Sequence, residues 1–318
     1  MWDAIQAPFP GMEIPADEDP EQDRVARSLL ALDPSGQRIA AALRRTIDLL
    51  LDGRNTGRYR WDQLHKTEKT HAGTLVEINL QREFGFAGGA VLDYSIAGAE
   101  VDCKFSQRVG GWMIPPEALG MLLLLVSASD ERGHWCAGLV RARDQHLRAA
   151  ANRDLKRGLN ETGIGAIRWL HRRAPLAENA LLRLPEPTVT RILALPSGQQ
   201  RVNELFRRAQ RRRITRAVIA TVAQQDDYMK RVRAGGGARD LLRGEGIVIF
   251  GGYGSHRETA VALGLPAPGP GEFVSVRLVR RDGMRDGGGR PWVQLGGGDW
   301  MTAELTDPVE RAPQLPDV

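Results

Sequence analysis

Asp93, Asp102 and Lys104 are the residues of this 318-residue chain whose types and spacing best fit phosphodiester chemistry. They lie in the stretch VLDYSIAGAEVDCKF, residues 91–105, which divides at Ala97-Gly98 into two short strands. Side chains alternate across a strand, so Glu100, Asp102 and Lys104 share one face while Val101, Cys103 and Phe105 take the other. The second face suits a core. The first crowds carboxylates against an ammonium, which is a poor way to build one. Asp93 precedes Asp102 by nine residues, and a turn at Gly98 brings the two side by side. Two carboxylates converging at a sheet edge make a hard-oxygen site for Mg²⁺. A lysine beside them can orient or activate a water for attack on a phosphodiester. Asp-x-Lys alone is a weak signal, and what strengthens it is the second Asp, the hairpin context and Glu77 upstream.

The surrounding elements must position this group. Helical spacing of Ile39, Leu43, Ile47 and Leu50 predicts a helix over 36–52, after a shorter one over 24–32. A third, over 70–84, carries Glu77 and stops at Gly85. Residues 121–128 and 134–140 read as buried strands that extend the sheet. A helix is expected over 144–157, and residues 160–170 complete the domain. Gln107 and Arg108, in SQRVGGW just after the hairpin, are candidate DNA contacts, since both side chains suit base edges. The helix end Leu50-Leu51-Asp52-Gly53 has the outline of the Lys-x-Asp-Gly motif of nucleotidyl ligases. A leucine stands where that chemistry needs an amine, so ligase activity is not expected.

Residues 1–23 hold seven acidic residues and no Lys or Arg, with four prolines. They read as an irregular acidic arm that could shield a basic surface. The catalytic domain is expected over 24–174 and a Pro-rich linker over 175–198. Charge then concentrates: residues 196–246 carry twelve Lys or Arg against five Asp or Glu, although the whole chain is only +5. Such a segment favours a polyanionic partner, nucleic acid first. Its helical patterns over 199–210, 216–225 and from 226 toward 233, followed by a strand at 246–250, have the order of a winged helix-turn-helix. Arg213, Arg216, Lys230, Arg231 and Arg239 are its candidate DNA contacts. Beyond 251, strands are expected over 272–279 and 291–295 around a GMRDGGG turn, with a poorly ordered tail after 307. The GGG runs lack the Lys-Ser/Thr of a phosphate loop. Cys103 and Cys136 are the only cysteines, which argues against structural zinc or a disulfide framework and fits a reducing prokaryotic cytoplasm. No signal-peptide pattern or membrane-length apolar run is present, so no membrane partner is expected.

Glu77, Asp93 and Asp102-Cys103-Lys104, with KTEKTHAGTLVEINLQREF, VDCKFSQ and VIATVAQQDDYMKRVR, resemble the NaeI family of type II restriction endonucleases over most of the chain. The resemblance implies an α/β (α+β) restriction-endonuclease-like core, a mixed sheet flanked by helices, plus a topoisomerase-like C-terminal domain over 199–318. In that domain the family carries a helix-turn-helix related to that of the catabolite activator protein. It implies metal ligation by Asp93, Asp102 and the Cys103 carbonyl, with catalytic roles for Lys104 and Glu77. It implies Mg²⁺-dependent double-strand cleavage at GCCGGC by a homodimer, type IIE in character: one DNA copy is cut while a second binds as effector. The competing reading is a non-catalytic winged-helix regulator with an inert nuclease fold, against which the intact Asp93, Asp102 and Lys104 set argues. Strand passage is weaker, since none of Tyr59, Tyr94, Tyr228 and Tyr253 is a clear catalytic tyrosine.

Overall fold

The computed structural model describes residues 19–281 and 289–316. The acidic arm falls mostly outside them, and so does most of the GMRDGGG turn. The chain forms two compact units, residues 1–46 with 70–176 and residues 47–69 with 177–318. Residues 47–69, which the sequence reading kept within 24–174, thus group with the second unit.

The helices of the N-terminal part are α1 (Pro20–Leu32), α2 (Gln37–Leu51), α3 (Gly53–Thr56) and α4 (Lys66–Phe84). Helix α1 starts where Asp19 caps the Gln22 amide and Pro20 takes the first turn. Helix α4 begins four residues before the expected 70, because the Glu68 carboxylate reaches back to the His65 amide at 2.7 Å.

The first unit is built on a six-stranded sheet in the order β1 (Ala87–Gly88), β2 (Tyr94–Ile96), β3 (Ala99–Ser106), β4 (Leu122–Ser129), β5 (His134–Arg141), then β8 (Arg168–Pro175). Only β3 and β4 pair in parallel, so the sheet is mixed. Strand β4, LLLLVSAS, is central and buried through Ala128, which explains a run of apolar residues without alternation. The register sets Asp102 beside Leu123 and Lys104 beside Leu125. Those two leucines pack on that face with Trp112, Ile114, Leu147 and Leu159. Val101 and Cys103 point to the opposite face with Tyr94, whose hydroxyl donates to the Glu77 carbonyl of α4 at 2.8 Å.

The helix expected over 144–157 is instead a two-stranded hairpin, β6 (Leu147–Ala151) and β7 (Arg157–Leu159). LRAAANRDLKR has fair helix propensity, but tertiary contacts override it. Asn152 turns the chain by accepting the Asp154 and Lys156 amides, and Leu147 and Leu159 are drawn into the core. The short helix α5 (Glu161–Gly165), capped by Asn160, leads into β8.

In the second unit the expected linker is not a loose tether: α6 (Glu186–Leu193) buries Val189 and Ile192. Helix α7 (Gly198–Arg208), strand β9 (Ile214–Thr215) and helix α8 (Arg216–Ala223) follow, the last capped by Thr215. The third expected helix shrinks to a 3₁₀ turn at Tyr228–Arg231, because α8 ends on a left-handed Gln224 and Asp227 is tied to Gln225 and Arg231. Then come α9 (Ala238–Leu241), β10 (Ile247–Gly251), α10 (Gly254–Ala262), β11 (Glu272–Arg280), β12 (Trp292–Leu295) and β13 (Gly298–Thr302). The antiparallel order is β10-β11-β13-β12, with β9 also on β11. Ile247 and Ile249 join the core of α6–α8, while Val248 and Phe250 pack against α10 residues on the other side. Helix α10 and β13 were not foreseen. The tail is also packed: Ala312 is buried and its amide donates to the Arg243 carbonyl at 2.8 Å. Among the described residues, no helix is long and apolar enough to cross a membrane.

Candidate active site

The β2–β3 hairpin turns at Ala97-Gly98, both left-handed, and pairs Tyr94 with Val101. One step along, Asp93 comes opposite Asp102. The Asp93 carboxylate accepts the Cys103 amide at 2.7 Å, which fixes it to β3. Asp102 is 6% exposed. The Lys104 ammonium straddles its carboxylate, 2.7 Å from Oδ1 and 2.6 Å from Oδ2, and lies 3.4 Å from the Cys103 carbonyl oxygen. The Oδ2 contact is an ion pair without hydrogen-bond direction, so that buried oxygen keeps acceptor capacity.

Electrostatics sharpen the picture. Burial pushes the Asp102 carboxyl above its ordinary range, and the nearby Asp93 adds to this while Lys104 opposes it. Glu77, half-buried on α4, is also raised, first by burial and then by Asp93. Its carboxylate makes no hydrogen bond or ion pair among the described residues, so it borders the group without joining it. The Cys103 thiol is pushed up to about 12 by burial, and the Tyr94 hydroxyl is raised for the same reason. Neither is an available nucleophile.

Among the described residues, no three Asp, Glu, His or Cys side chains gather closely enough to hold a metal ion unaided. Asp93, Asp102 and a backbone carbonyl nonetheless have the hard-oxygen donors that suit Mg²⁺, which keeps several waters and uses one or two carboxylates. The oxygens of Asp102 and Cys103 already converge on a cation, the ammonium of Lys104.

Glu100 is the residue for which sequence reasoning found no role. It accepts the amides of Ala90, Val91 and Leu92 at 2.7, 3.2 and 2.9 Å. It thereby fastens the loop that delivers Asp93. Gly89 permits this, because a side chain there would strike the Leu92 carbonyl and Glu100 itself. The alternation that placed Glu100 on the face of Asp102 was the available signal.

The candidate DNA contacts differ in how free they are. Gln107 is half-buried and Arg108 exposed in the loop after β3. In the second unit Arg213 is exposed with Glu272 at 3.7 Å, and Arg216 is exposed beside Gly271. Lys230 lies 3.6 Å from Asp227, and Arg231 is held by the same carboxylate at 3.2 and 3.3 Å. Arg239 turns inward, donating to the Ile249 carbonyl and lying over Phe273, so it serves packing.

Comparison with known proteins places the chain in a family. The family model described as "Restriction endonuclease NaeI" matches residues 23–311. The type II restriction enzyme NaeI of Lentzea aerocolonigenes is 49% identical over 308 residues, covering 95% of this chain and 96% of that enzyme. The chain therefore belongs to the restriction endonuclease NaeI family.

Proposed function

We propose that Asp93, Asp102 and Lys104 form the Mg²⁺-dependent cleavage site of this chain, with Glu77 in support. By family the chain is a type II restriction enzyme, a deoxyribonuclease. The observation that carries the assignment is a buried Asp102 facing Asp93, with the Lys104 ammonium on both of its oxygens. Type II restriction enzymes generally need a divalent metal. Asp93, Asp102 and the Cys103 carbonyl would hold Mg²⁺, which when bound supplies positive charge to the scissile phosphate. Lys104 orients the attacking water and offsets the negative charge that grows in the transition state. Glu77, half-buried on α4 and raised by burial and by Asp93, would support the shell of metal and water around these residues. Water attacks phosphorus in line, the 3′ oxygen leaves, and the ends are a 5′-phosphate and a 3′-hydroxyl.

The duplex substrate we propose is a palindrome, GCCGGC, bound by a two-fold dimer. The second unit is read as a winged helix-turn-helix that binds a second DNA copy as effector. Its support is the order α7, β9, α8, α9, β10, α10, β11, with β9 and β10 both paired to β11. Arg213, Arg216, Lys230 and Arg231 would contact that copy.

The deciding experiment digests supercoiled plasmid with Mg²⁺ and with EDTA. Linear fragments with discrete ends in Mg²⁺ alone support the assignment, and end sequencing gives the site. Tight specific binding without cutting would replace it by a non-catalytic regulator.

A further inference from the structure

The sheet face bearing Asp102 and Lys104 also carries an arm that the reaction does not use. Strands β6 and β7 form a two-stranded sheet of their own, off the main sheet. The base of the arm is fixed. Leu147 and Leu159 pack with Leu123 and Leu125, which flank Asp102 and Lys104 in the register. Ile114, from the segment that follows β3, exchanges two backbone hydrogen bonds with Arg157, both 2.9 Å. Beyond this base, residues 148–155 are all exposed. Three successive exposed alanines, Ala149 to Ala151, and a 67% exposed, left-handed Leu155 contribute little to folding. The turn is nevertheless pinned by Asn152 Oδ1, which accepts the amides of Asp154 and Lys156 at 3.0 and 2.9 Å. Neither the Arg153 guanidinium nor the Lys156 ammonium has a hydrogen-bond or ion-pair partner among the described residues.

The result is a braced two-stranded ribbon with small side chains and unpaired cations at its tip. A DNA major groove admits such a ribbon, and alanine methyls can lie against base edges and thymine methyls. Unpaired cations draw phosphates. Residues 143–157 hold five Lys or Arg against two Asp, which favours a nucleic acid over an acidic or neutral protein surface.

We propose that the β6–β7 hairpin is a DNA-reading arm that enters a groove of the duplex being cut at Asp93, Asp102 and Lys104. This rests on the cleavage reading above. The test uses full-length protein in Ca²⁺, with a labelled duplex containing GCCGGC, over a series of salt concentrations. Arg153→Glu with Lys156→Glu should weaken binding about tenfold or more and lower the salt slope by about two, with thermal melting unchanged. Wild-type affinity and slope would overturn the proposal. So would loss of the dimer in sedimentation with affinity intact, which would make the arm an interface between copies. Because Cys103 and Cys136 are buried, Ala150→Cys supplies an accessible thiol for disulfide capture. Capture by a base tethered inside the site is expected, and capture only by bases outside it would refute the arm. Plasmid cutting by the wild type, run in parallel, separates the two readings: its failure breaks the cleavage assignment, whereas the binding and capture data decide the arm.

Discussion

Asp102 with Lys104 and Asp227 with Lys230 and Arg231 are both acid–base clusters within a few residues of sequence, yet they behave in opposite ways. The Asp102 and Lys104 side chains are 9% and 23% exposed, and burial raises the Asp102 carboxyl despite a cation on both oxygens. The Asp227 side chain is 38% exposed. Its carboxyl is lowered, chiefly by the hydrogen bond from Gln225 and then by Arg231 and Lys230. Water solvates the second cluster, which is worth little and costs little. The first is held where its charge is disfavoured, a cost the fold tolerates and the one that fits the cleavage role proposed for it. Charge density is therefore a poor marker of a site, and charge kept against its own solvation is a better one.

The strongest way to break this contrast is Lys104→Ala. It should lower the cleavage rate about 10³-fold while specific duplex binding persists. Cleavage within about tenfold of wild type would remove Lys104 from the chemistry. A second variant asks whether burial alone marks a site. Arg44 grips Asp130 with hydrogen bonds of 2.5 and 3.1 Å, and the two side chains are only 9% and 3% exposed. Arg44→Ala strands a buried carboxylate, so urea unfolding should show a loss of about 3–5 kcal/mol. The Mg²⁺ dependence of the remaining folded enzyme should not move. If it does, the Arg44–Asp130 pair belongs with the active cluster.

How much of this was legible in the chain follows from what each feature depends on. The β2–β3 hairpin could be read because alternation, a Gly turn and a nine-residue spacing are local. Strand β4 was legible as an apolar run, and α7 and α8 by helical spacing. The β6–β7 hairpin was not, since its helix-like composition is overruled by an Asn152 turn and by leucines claimed by a distant core. Glu100 was placed on the correct face, but its three amide partners lie across the hairpin and carry no sequence signature. Arg239 looked like its basic neighbours. Only the packing shows it turned onto Ile249 and Phe273.

Two variants with intermediate effects sharpen the contrast. Glu100→Ala frees the loop before Asp93, so the half-saturating Mg²⁺ concentration should rise about tenfold, as for other residues that orient a ligand. Amide exchange at 90–92 in metal-free protein should quicken as well. Glu100→Gln keeps an acceptor oxygen and should recover part of both losses; recovery of neither would mean that the carboxylate acts otherwise than as an acceptor for the loop. In the exposed cluster, Asp227→Asn should change stability by at most about 1 kcal/mol. By releasing Lys230 and Arg231 it should strengthen duplex binding a few-fold, measured by anisotropy at low salt. Weakened binding would mean that Asp227 orients those cations for DNA instead of restraining them.

The smallest effect tests whether the buried cluster truly bears a solvation cost. Glu77 has a folded-state pKa above its ordinary value, with burial the main cause and Asp93 the next. A carboxyl of that kind favours the fold while protonated; its contribution is full below the ordinary carboxylate pKa and is lost as pH rises through the raised one. Glu77→Gln removes the titration and stays neutral. In metal-free full-length protein the variant should melt slightly above wild type at neutral pH, and the gap should close as pH falls to about 4. Lys104 pulls the other way, favouring the charged Glu77. If Glu77→Gln melts lower at neutral pH, attraction to Lys104 outweighs burial, and the carboxylates beside that lysine are held by pairing rather than against it.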